Sequence, residues 1–258
     1  MPRANQHFLL IAALLTAATL CQAYEDPVQP EHGGNKKGLG LAEKSGLGAA
    51  QLEALQLSWF YNWSAQTAIT TPVKFVPMIF SPRSLNQPIH TDTVLGFNEP
   101  DNAKQAALSV PEALQYWPQL SQKAARLGSP AMAGNPVSGT WLPAFMKAYP
   151  KVDFVTVHWY KGIDAKKFIK DIQAVCDTYG KPVWVTEFAP STAANGRLHP
   201  DKFSQAEVNQ FIRTTVSWMN QQACVQAFAW HDAKVGSSAL FDQQGALTAT
   251  GKAYAQAN

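Results

Sequence analysis

Charge is scarce in this chain. Asp, Glu, Lys and Arg make up only 15% of its 258 residues, and the formal net charge is +3. No basic run is present, so the electrostatic footprint of a nucleic-acid binder is missing and no nucleic-acid partner is expected. Cysteine is scarcer still, at Cys21, Cys176 and Cys224, and none of the three stands in the C-x-x-C spacing of a structural zinc site. His32, His90, His158, His199 and His231 are scattered without an H-x-x-x-H pair, which argues against a metal-dependent deacetylase or hydrolase. No metal site is expected. A G-x-G-x-x-G after the first strand and a G-x-x-x-x-G-K-[ST] are both missing, which argues against a nucleotide-binding α/β fold. The G-x-S-x-G elbow of serine hydrolases is missing too.

The apolar runs are short. The longest, residues 8–20, is about 13 residues, whereas a membrane span needs roughly 20. It follows Arg3 and His7 and ends in Cys21-Gln22-Ala23, the pattern of a secretory signal cleaved after Ala23. A membrane anchor and a lipid-anchored Cys21 are the weaker readings. The expected organisation is therefore a signal at 1–23, a Pro- and Gly-rich flexible leader at 24–35, and one domain at 36–258. The expected location is secreted or periplasmic, with no membrane association after cleavage. Cleavage leaves Cys176 and Cys224, an even pair in an oxidising compartment, which invites a disulfide; two buried thiols are the alternative.

What is abundant is aromatic and apolar. Aromatic residues reach 11%, with eight tryptophans. Short apolar runs alternate with longer amphipathic stretches. Strands are expected at 37–41, 57–61, 74–80, 94–98, 131–134, 153–159, 183–187 and 225–230. Near-continuous runs such as Phe154-Val155-Thr156-Val157 imply strands covered on both faces, as in a parallel sheet. Helices are expected at 48–56, 110–127 (Pro111 near its start), 166–179 (closed by Gly180) and 205–221. Eight strands with intervening helices predict a single-domain (β/α)8 TIM barrel.

In such a barrel, reactive groups come from the C-terminal ends of the strands. Run four ends Leu95-Gly96-Phe97-Asn98-Glu99-Pro100-Asp101, and run seven ends Trp184-Val185-Thr186-Glu187-Phe188. A carboxylic acid among apolar neighbours is costly to bury unless it is paired or functional. Strands four and seven face each other across a barrel mouth, and two facing carboxyls are the machinery of glycoside hydrolysis. Asn98 is placed to bond a sugar 2-hydroxyl, while Asp101 is expected to cap the turn after Pro100.

Asn98-Glu99-Pro100 and Thr186-Glu187-Phe188 resemble the fourth- and seventh-strand signatures of the large retaining (β/α)8 glycosidase clan. More narrowly, the chain resembles glycoside hydrolase family 128 over residues 36–250. The matching segments are Trp59-Phe60-Tyr61-Asn62-Trp63, Leu95 to Asp101, Ala133-Gly134-Asn135-Pro136, Val157-His158-Trp159-Tyr160 and Trp184 to Phe188. That resemblance implies a retaining β-1,3-glucanase, with Glu99 as acid/base, Glu187 as nucleophile, no cofactor, and β-1,3-glucan or its oligosaccharides as partner. The first strand, Gly38-Leu39-Gly40-Leu41, departs from the pattern in lacking a polar end.

Aromatic residues at strand ends suit stacking on sugar rings. The expected substrate contacts are Tyr61, Trp63, Asn98, Asn135, Trp141, His158, Trp159, Tyr160 and Trp230, with His158 placed to tune Glu187 and His231-Asp232 at the rim. Trp184 and Trp218 are expected in the core. The competing readings are a sugar-binding protein that keeps the groove without catalysis, and a glycosidase for another β-linked polysaccharide. A monomer is the default for a secreted glycanase with an open cleft.

Overall fold

Short buried strands alternate with helices along the chain: β1 (Lys37–Gly40), α1 (Ala49–Ala54), β2 (Trp59–Tyr61), β3 (Lys74–Phe75), β4 (Thr93–Val94), α2 (Val110–Ser121), β5 (Arg126–Leu127), α3 (Trp141–Lys147), β6 (Val155–Trp159), α4 (Ala165–Tyr179), β7 (Val183–Phe188), a hairpin of β8 (Thr192–Ala194) and β9 (Arg197–His199), α5 (Gln205–Gln221), β10 (Val225–Trp230) and α6 (Ala249–Gln256). The computed structural model describes residues 1, 35–190, 192–194, 197–199, 203–231 and 236–258. The expected signal and leader lie outside the described residues, apart from Met1 and from Asn35, whose side chain donates to Gln56 O at 2.6 Å. The described residues from Asn35 onward belong to one compact unit. Among them no helix is long and apolar enough to cross a membrane.

Six strands form a continuous parallel ladder in the order β3-β2-β1-β10-β7-β6, and β4 pairs with β5. Single parallel bridges complete the ring: Met78 with Leu95 joins β3 to β4, and Gly128 with Phe154 joins β5 to β6. The molecule is therefore a (β/α)8 barrel whose ring is thinnest around β3, β4 and β5. Pro77 and Pro130 lie at these thin places, and a proline gives no ladder N–H.

Sequence cues set the helix ends. Ser109 and Glu112 form a capping box on α2, and Ser204 and Glu207 form another on α5. Asp164 caps α4, which ends at Gly180 in the left-handed region (φ 57°). The expected helix at 110–127 stops six residues early. Lys123 N closes a last turn on Leu120 O, and Arg126 N then bonds Asp92 O as the chain enters β5. The fifth strand is accordingly Arg126–Leu127 and not 131–134; of the latter only Ala131 bridges, to Asn98. Cys176 of α4 and Cys224, just ahead of β10, form a disulfide with Cα atoms 6.0 Å apart.

The core has two compartments. Outside the barrel, strand residues such as Val185, Phe188, Phe228 and Trp230 pack on the helices. Inside, Trp59, Tyr61, Met78, Leu95, Phe154 and Trp184 pack against the small Ala227 and Ala229. Gly38 and Gly40 continue the small side: an added Cβ would fall 2.4 Å from the Trp59 ring at Gly38 and 2.9 Å from the Trp63 ring at Gly40. The apolar end of the first strand is thus explained by the bulk of its neighbours on β2. At the N-terminal end of the barrel, Arg126 donates to Gln226 across the ring at 2.8 Å and covers the Phe154 ring at 5.6 Å. Lys37, almost fully buried, donates to the carbonyls of Tyr254, Ala255 and Ala257 at the end of α6, as Lys36 does to those of Met219, Asn220 and Gln222 at the end of α5. Lysine there satisfies carbonyls that a helix leaves unpaired.

Candidate active site

The C-terminal ends of β4 and β7 place Glu99 and Glu187 in one cleft of about 740 Å³. Glu187 is the last-but-one residue of β7, buried, and surrounded by donors. Its Oε1 accepts from Tyr61 Oη at 3.0 Å and Trp63 Nε1 at 2.8 Å, and its Oε2 from Tyr160 Oη at 2.5 Å. His158 Nδ1 stands 3.4 Å from the same Oε2. Burial pushes the Glu187 carboxyl up, but the charges of His158 and His231 and the bonds from Tyr160 and Trp63 outweigh it, and its pKa lies below the ordinary value. Burial, reinforced by the Glu187 charge, drives the Tyr61 and Tyr160 hydroxyls well upward, so both stay protonated as donors.

Glu99 sits past β4, with φ at 43°, a left-handed conformation that few non-glycine residues adopt. Its N–H is fixed on Ala131 O at 2.8 Å. Its Oε1 meets His158 Nδ1 at 2.9 Å and its Oε2 accepts from Asn102 Nδ2 at 3.1 Å. His158 therefore lies between the two carboxylates. Burial lowers its pKa, but Glu187, the Glu99 bond and the charges of Glu99 and Asp101 more than compensate, and the imidazole titrates above its usual value.

Atoms of Glu99, His158 and Glu187 all fall within 4.8 Å of one another, close enough to share a divalent cation. The donor set does not fit one: Tyr61, Trp63 and Tyr160 aim O–H and N–H groups at Glu187, which recognises bare negative charge rather than a carboxylate already neutralised by metal. With carboxylate oxygens of Glu99 and Glu187 within 4.8 Å of each other, the two carboxyls face one another across the cleft as a glycoside-hydrolysing pair requires.

Of the expected contacts, Trp63, Asn98, His158 and Tyr160 line the cleft with both glutamates, and His231 lines it beside them. Tyr61 is fully buried beneath Glu187 and reaches it only through its hydroxyl. Asn98 donates to Gln105 Oε1 at 3.3 Å, and its Oδ1 is buried without a partner among the described residues. The remaining four do not come together there. Trp159 points outward, its Nε1 on Asp171 and its ring against Phe168 and Phe211. Trp230 is fully buried between Phe188 and Tyr254, bonded to Ser238 O. Trp141 bonds Leu108 O and stacks on Phe145, and Asn135 accepts from Val137 N and Ser138 N in its own turn. The physical reason for the first two is strand alternation: with His158, Ala227 and Ala229 facing in, Trp159 and Trp230 face out. Asp101 does not cap its own turn; it accepts from Ala133 N and Gly134 N and ties the loop after β4 to the loop after β5. Asp232 lies outside the described residues. As expected, Trp184 fills the barrel interior and Trp218 packs on the outer core.

The site also holds residues that composition did not single out: Asn102, Glu43, Asn62, Phe80, Gln105 and Lys161. Asn102 was within reach of a sequence argument, since it lies three residues past Glu99 across a proline turn. Glu43 and Phe80 carried no local signal.

Comparison with known proteins agrees with this geometry. Residues 38–254 match the family described as glycosyl hydrolase catalytic core. Alkali-sensitive linkage protein 1 of Schizosaccharomyces pombe is 32% identical over 219 residues, which is 77% of this chain and 40% of that protein, so the chain spans well under half of that relative's length. An endo-β-1,3-glucanase of glycoside hydrolase family 128, subgroup I, from Amycolatopsis mediterranei, solved as a glutamate-to-alanine mutant with laminaripentaose, is similar with a TM-score of 0.79 and 32% identity, covering 87% of this chain and 100% of that one. A subgroup VII oligosaccharide-binding protein from Trichoderma gamsii superposes with a TM-score of 0.73 and 26% identity, covering 90% of this chain and 97% of that one. With the family match spanning nearly the whole barrel and both glutamates set in its mouth, the chain belongs to the glycosyl hydrolase catalytic core family and, within it, to glycoside hydrolase family 128.

Proposed function

We propose that the chain is a retaining β-1,3-glucanase in which Glu187 is the nucleophile and Glu99 the acid/base. The observation that carries the assignment is the unequal surroundings of the two carboxyls: among the described residues Glu187 receives hydrogen bonds from Tyr61, Trp63 and Tyr160, whereas Glu99 is held by His158 and Asn102. A carboxylate stabilised by several donors stays ionised and is ready to attack, while the other exchanges a proton. In the first displacement a Glu187 oxygen bonds to the anomeric carbon as Glu99 gives its proton to the departing glycosidic oxygen. In the second, Glu99 takes a proton from water, the water oxygen bonds to the anomeric carbon, and the ester to Glu187 breaks. Trp63, Phe80 and Tyr160 supply apolar walls for the sugar rings, and the unpartnered Asn98 Oδ1 accepts from a hydroxyl.

The linkage is inferred from the Amycolatopsis mediterranei relative, described with laminaripentaose. The substrate of this chain is accordingly proposed to be β-1,3-glucan or its oligosaccharides. We further propose that residues 1–23 are an export signal cleaved after Ala23, that 24–35 is a leader, and that the protein works as a monomer outside the cytoplasm; the Cys176–Cys224 disulfide favours an oxidising compartment.

The test is a panel of 1,3-, mixed 1,3/1,4-, 1,6- and 1,4-linked β-glucans incubated with the wild type, Glu99→Ala and Glu187→Ala, with products resolved by chromatography. Oligosaccharide release from the 1,3-linked polymer, lost in both variants, is the expected result. Binding without release, unchanged in the variants, would instead make the chain an oligosaccharide-binding member like the Trichoderma gamsii relative. Added azide separates the two roles: it captures the glycosyl group with inverted configuration in Glu187→Ala and with retained configuration in Glu99→Ala.

A further inference from the structure

Glu43 stands three residues past β1, and no ion pair engages it among the described residues. Its Oε1 accepts from Asn62 Nδ2 at 2.7 Å and from Thr67 Oγ1 at 2.5 Å, and its Oε2 from Ala68 N at 3.3 Å. All three donors belong to the loop after β2, so this one carboxylate binds that loop to the loop after β1. Trp63 lies in the bound segment. On one side of it, Asn62 also donates to Gln66 O at 2.8 Å; on the other, Ser64 N donates back to Asn62 Oδ1 at 3.0 Å. Trp63 itself has φ at 61°, a left-handed conformation that a tryptophan keeps only where its surroundings fix it. From that backbone its indole crosses the bare Cα of Gly40 and reaches Glu187 Oε1 at 2.8 Å.

We propose that Glu43 is a positioning residue for the reaction: by clamping Asn62 it holds the strained Trp63 in place, and with it the Trp63 N–H that is donated to Glu187. The inference rests on the reading of Glu187 as nucleophile. Burial raises the Glu43 carboxyl, but the bonds from Thr67, Asn62 and Ala68 N outweigh it and bring its pKa below the ordinary value, so the clamp stays charged where the enzyme is to work. The other groups that face Glu187 are Tyr61 from β2, Glu99 from the end of β4, His158 and Tyr160 from the end of β6, and His231 after β10. Trp63 is the member of that set whose loop Glu43 holds.

The test compares pH profiles of kcat/KM on a 1,3-linked β-gluco-oligosaccharide for the wild type, Glu43→Ala, Glu43→Gln, Thr67→Val, Trp63→Phe and the Glu43→Ala/Trp63→Phe double variant. One N–H donated to a carboxylate shifts its titration by about one pH unit. The acid limb is therefore expected to rise by about that much in Glu43→Ala and in Trp63→Phe, and no further in the double variant. Glu43→Gln keeps an acceptor for Asn62 and Thr67 and returns most of the shift. Should Glu43→Ala fail to fold, Thr67→Val removes one leg of the clamp and carries the same expectation at smaller amplitude. An unmoved acid limb with a raised KM would overturn the proposal and make Glu43 a direct contact of the sugar. Additive shifts in the double variant would overturn it too. Carbon-13 NMR titration of the Glu187 carboxyl in the same proteins reads the clamp without catalysis. A shift there with an inactive wild type removes the glucanase reading and leaves the clamp standing; no shift with an active wild type removes the clamp alone.

Discussion

The Nδ1 of His158 lies 2.9 Å from the Oε1 of Glu99, with both side chains nearly sealed from solvent. Glu187 Oε2 stands 3.4 Å from the same nitrogen, so a protonated imidazole would serve both carboxylates. Replacing it, as in His158→Gln, takes away the group that both carboxyls share. Activity is expected to fall by about 10²-fold, the cost typical of misplacing a reacting group.

The same contact makes stability depend on pH. His158 has a folded pKa raised above 6.5 through Glu187, Glu99 and Asp101 against the opposing effect of burial. A raised pKa contributes stability in full below the unfolded value and loses it as pH climbs through the folded value. The wild type is therefore expected to exceed His158→Gln by about 3 kcal/mol at pH 5, with the gap narrowing above neutrality. Thermal unfolding of both proteins across pH checks this; parallel curves would show that the imidazole carries no charge there.

Gly38 and Gly40 predict two different failures from the same substitution. At Gly38 an added Cβ meets the Trp59 ring, packed deep in the barrel, and Gly38→Ala is expected to cost about 1–3 kcal/mol of stability. At Gly40 the added atom meets the Trp63 and Tyr61 rings, both of which donate to Glu187. Gly40→Ala is expected to lower kcat at least tenfold with a smaller change in Tm, because the rings that orient Glu187 have to move to admit the added atom. Equal effects on kcat and Tm in the two variants would contradict this division.

Lys37 offers a stability test far from the cleft. It is 3% exposed and serves three carbonyls at the end of α6. Lys37→Met keeps the length of the side chain but strands those acceptors, and a loss of roughly 2–3 kcal/mol is expected, or about 4–12 °C in Tm for a chain of this size. Calorimetry decides it, and turnover at 25 °C is expected to be unchanged.

The Cys176–Cys224 disulfide closes a loop of 48 residues around β7. Closure of this length restricts the unfolded chain by about 4 kcal/mol at most. The Cys176→Ala/Cys224→Ala variant is expected to melt roughly 10 °C lower, with its products from glucan unaltered. An unchanged Tm would mean that α4 and the start of β10 are already held by packing alone.

The catalytic end of the fold is readable in the sequence because β7 is long and carries its glutamate one residue after the apolar run Val183-Trp184-Val185, and because Asn98-Glu99-Pro100 follows another short apolar run. Elsewhere the signal was weaker for physical reasons. β5 has two residues, too few to show a period, and the apolar stretch 131–134 drew the assignment away from it. Trp159 and Trp230 were drawn into the site by position at a strand end, although alternation with the inward-facing His158 and Ala229 sends both to the helices. Glu43 could not have been read at all. Its role depends on a loop that meets it only after the barrel closes, and on a tryptophan backbone whose strain no local pattern announces.

Arg126 and Gln226 bar the far end of the barrel, and Trp59, Phe154 and Trp184 fill the space between that bar and Glu187. Glu187 is therefore approached through the mouth of the barrel and not through its floor. In a double displacement, the leaving sugar and the incoming water use the same doorway, so departure has to precede arrival. Any other hydroxyl waiting at the threshold competes on equal footing with water for the ester on Glu187. The balance between cutting a glucan and re-joining it to an acceptor sugar then follows from which hydroxyls crowd that mouth, a matter of concentration.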